Sequence, residues 1–285
     1  MDVARQALDL LEQRALNRRR VDWPALRRDL PADPHTAIRT AITALGDPHT
    51  FLLTAADLAE AFGDEAVQNS LMPSGEIVGE RFALIRIPET PSVDEADLRY
   101  TRTGAALVRD LDGQRPDGWI VDLRGNTGGN MYPMLTVLAP LLGDGVLGSF
   151  VDADGESAGQ WILRDGVVHQ DDEPLSPEPH PHRLATAGPP IAVLTDGDTM
   201  SAGEATLIAF RGLPDVRTFG APTAGLATGN AAHELADGSM LVLTEVRESD
   251  RAGRLFGTDP IVPDEPAHDA LQAAVTWLES RSEGA

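Results

Sequence analysis

The chain has 285 residues, 42% of them hydrophobic, enough for one large domain or two small ones around a sizeable core. Its formal charge of −22 comes from 45 acidic and 23 basic residues, a balance that argues against nucleic acid and anionic membranes as partners because such a surface repels phosphate. There is no cysteine and every basic residue is arginine, which excludes disulfides, thiolate nucleophiles, thiolate metal sites and any lysine base.

Residues 1–70 read as a helical subdomain. "VARQALDLLEQRAL" carries apolar residues at helical spacing, and "DWPALRRDL" and "DPHTAIRTAITALG" begin on Asp or Pro caps, the second ending on Gly46. "TAADLAEAFG" reads as one more short helix. No apolar run approaches the ~18 residues of a membrane span. The amphipathic start lacks the apolar stretch and cleavage site of a signal peptide, so a cytoplasmic location is expected.

From residue 75 to 285 strands alternate with helices, the pattern of an α/β core. "GEIVGERFALIRIPE" gives two short strands, "VDEADLRYTRTGAALVRDLDG" a helix, and "GWIVDLRG" a buried strand running into a glycine-rich turn. "YPMLTVLAPLLG" is helical, "VLGSFVDADG" and "SAGQWILRDGVVHQ" form a hairpin, and "DDEPLSPEPHPHRLATAGPP" is an irregular Pro-rich loop. "PPIAVLTDG" is a second buried strand, followed by the helix "SAGEATLIAFRGL" and the strand "VRTFG". "HELADGSMLVLTEVRE" forms a hairpin around Asp237-Gly238, and "DALQAAVTWLESR" is the closing helix.

Two of these turns carry chemistry. Ser201 followed by Glu204 ahead of an apolar run is a capping box, and a serine at the start of a helix is also where a hydrolase places a nucleophile. Gly125, Gly128 and Gly129 let backbone N–H groups approach a ligand closely, and they serve equally well in a tight strand-to-helix connection. Both turns follow buried strands, so in a parallel sheet both lie at its carboxyl end, where such sheets place their sites. A hydroxyl with N–H donors from two turns suits acyl transfer. The two turns are therefore expected to be neighbours, with residues 202–211 helical. The base must be one of seven histidines. His180 and His182 belong to the Pro-rich loop, expected to be solvated, and no cluster has metal-ligand spacing. His49, in "LGDPHTFLL", is the histidine best placed to reach across from the helical part.

"LGDPHTFL", "WIVDLRGNTGG", "TDGDTMSAGEA" and "FGAPTAG" resemble the signature segments of the carboxyl-terminal-processing (tail-specific) serine peptidases over roughly residues 44–280. The closing "PIVPDEPAHDALQAAVTWL" resembles that family's terminal segment. The resemblance implies a ClpP/crotonase-like core of mixed sheet and helices at 75–285, with Ser201 as nucleophile. It implies an oxyanion hole of the Ala202 N–H with Gly128 or Gly129, and no cofactor or metal. Leu226 stands where the Ser/Lys branch has its lysine. His49 takes the role of base instead, as in the branches of tricorn protease and nisin-resistance protein. Glu245, Glu248 and Asp259 are candidates for an acidic third member. Only about 25 residues separate Thr50 from the strand at Glu76, too few for the PDZ module of the tail-specific branch. The expected activity is hydrolysis of peptides or unstructured protein tails, with a bias to cationic ones. The alternatives are an inactive relative that binds an apolar ligand or peptide, like the interphotoreceptor retinoid-binding modules, and an acyl-CoA enzyme, which the acidic balance disfavours.

Overall fold

The computed structural model describes residues 3–90 and 92–282. Its first helices are fixed by their ends. α1 (Val3–Arg14) buries Ala7, Leu8 and Leu11. α2 (Trp23–Arg28) starts on Asp22, whose side chain accepts the Ala25 N–H. α3 (Pro34–Leu45) starts on Asp33 with proline at its first position and stops at Gly46, which adopts the left-handed conformation that glycine reaches without a Cβ penalty. The chain then turns through Asp47–Thr50 into a short strand, β1 (Phe51–Leu53). α4 (Ala55–Phe62) and α5 (Asp64–Gln68) lead to the core.

The core elements follow in order: β2 (Ser74–Val78), β3 (Phe82–Arg86), α6 (Asp94–Asp112), β4 (Gly118–Asp122), α7 (Met131–Val137), α8 (Ala139–Leu142), β5 (Gly145–Asp152), β6 (Ser157–Arg164), β7 (Val167–Gln170) and β8 (Glu173–Pro174). Then come β9 (Ile191–Thr195), α9 (Ala202–Phe210), β10 (Val216–Gly220), β11 (Thr228–Glu234), β12 (Met240–Asp250), β13 (Glu265–Pro266) and α10 (Ala270–Ser282). They build a mixed α/β fold with two sheets. One has the order β13-β10-β9-β4-β3-β2, parallel except for β2 at its edge. Its strands read as apolar runs because both faces are covered. Ile85, Val121 and Val193 point into the larger core, while Leu84, Ile120 and Leu194 point to the other side against Ala274 and Leu278 of α10.

The second sheet is antiparallel and centred on the long β12. β11 runs along one side, and β1 and β5 share the other. The helical segment is seated on this sheet: Leu8, Leu11, Ile38 and Leu45 pack with Leu241 and Leu243 of β12 in one cluster. β1 has no counterpart in the expected elements. It is three residues long and exists because Phe51–Leu53 pairs with Met240–Val242. This pairing draws the Asp47–Thr50 turn, and with it His49, against the core.

Candidate active site

β4 and β9 are adjacent and parallel, so the two loops leaving them emerge side by side. They are cross-braced: the Thr199 hydroxyl donates to the Leu123 carbonyl at 2.9 Å, Met200 N–H to the Asn126 carbonyl at 3.0 Å, and Gly125 N–H to Asp196 Oδ1 at 3.1 Å. A Cβ on Gly128 would stand 2.9 Å from Ser201 Cβ and 3.3 Å from its Oγ, so glycine is what lets the two turns meet.

Ser201 sits at the head of α9 with φ +51° and ψ −119°, a conformation a residue with a side chain holds only when its surroundings enforce it. Glu204 supplies that enforcement. Its carboxylate accepts the N–H of Ser201 at 3.1 Å, of Gly225 at 3.1 Å and of Leu226 at 2.7 Å, together with the Thr223 hydroxyl. Burial pushes this carboxyl above its ordinary pKa, and the four donors oppose that rise. One side chain thus ties the serine turn to the segment in which Leu226 replaces a lysine.

The N–H groups divide cleanly. Gly128 N–H donates to Asn126 Oδ1 at 2.9 Å, so it is occupied. Gly129 N–H and Ala202 N–H have no acceptor among the described residues. Gly129 has φ +98°, and a Cβ there would fall 1.9 Å from the Thr90 carbonyl oxygen. Gly129→Ala is therefore expected to cost about 2 kcal/mol or more of stability from the backbone conformation and the clash together, read as a fall in Tm. A variant as stable as wild type would mean that the turn can rearrange freely.

His49 is 8% exposed. Its N–H is held by Asp47 Oδ1 at 3.1 Å and its carbonyl accepts Asn230 Nδ2 at 3.1 Å. On the ring, Nδ1 lies 2.7 Å from Thr228 Oγ1 on β11, and Nε2 has no protein partner among the described residues. Burial lowers the imidazole below its ordinary pKa, with the Asp47 charge acting in the opposite direction. His49, Thr228, Gly129, Ser201 and Ala202 all line one cleft of about 850 Å³ between the helical segment and the core.

Of the candidate acids, Glu248 lines this cleft, while Glu245 and Asp259 lie elsewhere. Glu245 accepts from Arg14 at 2.8 Å and lies 2.8 Å from His233 Nε2. Asp259 lines a separate cavity with Arg247 and Arg254. The partner of His49 Nδ1 is a hydroxyl that no local pattern marks, whereas Asn126 stands inside the quoted "RGNTGGN" turn. The Pro-rich loop is not solvated at its histidines: His180 is 4% exposed and His182 Nε2 lies 2.9 Å from Asp112, because the loop packs back onto α6. Among the described residues, no group of three or more His, Asp or Glu could hold a metal ion, and no helix is long and apolar enough to cross a membrane.

The same segments are recognisable in known proteins. Residues 81–267 match the model of peptidase family S41. The nisin-resistance protein of Lactococcus lactis subsp. lactis is 32% identical over 244 residues, covering 86% of this chain and 73% of that protein. A lipoprotein from Streptococcus agalactiae superposes with a TM-score of 0.83 at 28% identity, over 98% of this chain and 96% of that one. The photosystem II D1 C-terminal processing protease shares the fold, with a TM-score of 0.66 at 15% identity, over 93% and 92% of the two chains. The glycine turn, the serine turn and the segment joined to them by Glu204 all fall inside the matched region, and the chain belongs to peptidase family S41.

Proposed function

We propose that the protein is a serine peptidase that cleaves peptides or unstructured protein tails through Ser201 and His49. The observation that carries this reading is the shared cleft. A serine held at a strained helix start, two N–H groups and one imidazole nitrogen without partners among the described residues all belong to residues that line the same cleft. In the mechanism, His49 Nε2 accepts the Ser201 Oγ proton as Oγ attacks the substrate carbonyl. The oxygen of the tetrahedral intermediate takes hydrogen bonds from Ala202 N–H and Gly129 N–H, while Gly128 shapes the turn rather than donating. His49 then protonates the leaving amine, and a water activated by the same imidazole hydrolyses the acyl-enzyme. Thr228 Oγ1 accepts from Nδ1–H in the tautomer whose lone pair is on Nε2 and fixes the ring's orientation, part of the task an acid performs in other triads. Neither Glu245 nor Asp259 is given that task.

The substrate class follows from access. β1 and β2 are joined by short helices α4 and α5, so peptide selection falls to the cleft itself. A relative named for resistance to nisin, a peptide, makes small peptides the substrates to try first. A fluorophosphonate probe is expected to label Ser201, located by peptide mass spectrometry, and a fluorogenic peptide library is expected to be cleaved. A protein that neither labels nor cleaves, yet binds a fluorescent fatty acid in the same cleft, would replace this reading with that of an apolar-ligand carrier.

A further inference from the structure

The lining of the cleft includes an acidic side chain that the mechanism does not use. Glu248 lies on β12 opposite Phe150 of β5; its N–H donates to the Ala227 carbonyl and its carbonyl accepts the Phe256 N–H. Its side chain is 2% exposed, and its Oε2 is buried without a hydrogen-bond partner. It lines the same cleft as Ser201 and His49.

Glu204 is the instructive contrast. That carboxyl is equally buried, and four donors surround it. Among the described residues Glu248 has none, although buried carboxylates are ordinarily paired or hydrogen-bonded. The neighbouring polar groups do not serve it: the Tyr132 hydroxyl is engaged with Gln170 Oε1 at 2.8 Å. No arginine lines the cleft, and the chain has no lysine. Among the residues that line the cleft, His49 is the imidazole and Glu248 the carboxyl. Burial, reinforced by the like charge of Glu204, pushes its pKa well above the ordinary carboxylate range. The cleft therefore holds a buried acid with no protein partner among the described residues, and it is also lined by Tyr132 and Phe150, whose rings suit an aliphatic stem.

We propose that Glu248 is the specificity-determining residue of the cleft and receives the ammonium or guanidinium group of a lysine or arginine side chain of the bound peptide. The placement of the peptide rests on the peptidase reading; the cation preference rests on Glu248. It differs from a general attraction of the acidic surface for cations, which salt abolishes, whereas a buried pair is screened far less.

The test separates these. Ser201→Ala protein is titrated calorimetrically with peptides of one sequence carrying a single lysine or a single norleucine at successive positions, at low and high salt. At one position lysine is expected to bind about tenfold tighter or more, in high salt as well as low. Glu248→Gln in the same background is expected to erase the preference. Should glutamine not fold, as read by thermal unfolding, Glu248→Asp keeps the charge, withdraws it by one methylene and lowers the preference. Equal affinity for lysine and norleucine at every position, a preference that vanishes in salt, or one that survives the Glu248 substitutions would overturn the proposal. Binding needs no turnover, so a wild-type protein that binds lysine peptides selectively but cleaves none would overturn the peptidase reading alone.

Discussion

Ser201→Ala is expected to lower kcat for peptide hydrolysis by a factor on the order of 10⁴–10⁶, since removing a nucleophile that acts as one unit with its base leaves only oxyanion binding and substrate positioning. The fold should survive. The Ser201 backbone conformation is set by the Glu204 carboxylate on its N–H and by the cross-bracing of the two turns, none of which involves Oγ. A β-carbon at φ +51° is equally strained in serine and alanine, so the Tm should stay close to wild type. Ser201→Gly removes the strain and is expected to be more stable by about 1 kcal/mol while equally inactive. That pair of outcomes would identify a serine kept in a costly conformation for its chemistry. Active-site titration with a fluorophosphonate and thermal unfolding read both. An alanine variant that retains activity within about tenfold of wild type would remove Ser201 from the mechanism.

Much of this was legible in the sequence where the physics is local. α3 announces both of its ends, Asp33 with Pro34 and then Gly46, because caps and left-handed glycines act within a few residues. The parallel strands β4 and β9 are apolar throughout because both faces are covered, and runs of that kind can be recognised without knowing what covers them. The Ser201–Glu204 spacing gave the helix start, and Glu204 does accept the Ser201 N–H. Its other three donors come from Thr223, Gly225 and Leu226, and no pattern within a helix turn foretells them. β1 was illegible because three residues become a strand only by pairing with β12, about two thirds of the chain away. The same distance hid Thr228, which meets His49 across 179 positions; the acids Glu245 and Asp259 stood out by residue type, yet the first is committed to Arg14 and His233. The occupied N–H of Gly128 is a local Asn126 contact, and separating it from Gly129 needed coordinates.

His49→Ala is expected to reduce kcat by roughly 10²–10⁴, the usual contribution of a positioned general base. The ring is packed and hydrogen-bonded, so a loss of Tm accompanies it, and the pH profile is the sharper reading. His49 accepts a proton only when neutral. Protonation of the free enzyme's imidazole therefore removes activity, and kcat/KM falls as pH drops through its pKa. Burial places that pKa below the ordinary 6.5, against the opposing pull of Asp47, so the acid limb should have its midpoint below pH 6.5. Asp47→Asn keeps a side-chain oxygen for the His49 N–H and removes the negative charge, so it should move the midpoint further down. Thr228→Val takes away the Nδ1 partner without touching Nε2. It should lower kcat by about tenfold or more through loss of ring orientation, with Thr228→Ser restoring it, since serine returns a hydroxyl to the same place. A midpoint above pH 6.5, or one unmoved by Asp47→Asn, would show that the titrating group is not His49, and a valine variant with full kcat would leave the imidazole oriented by the turn alone.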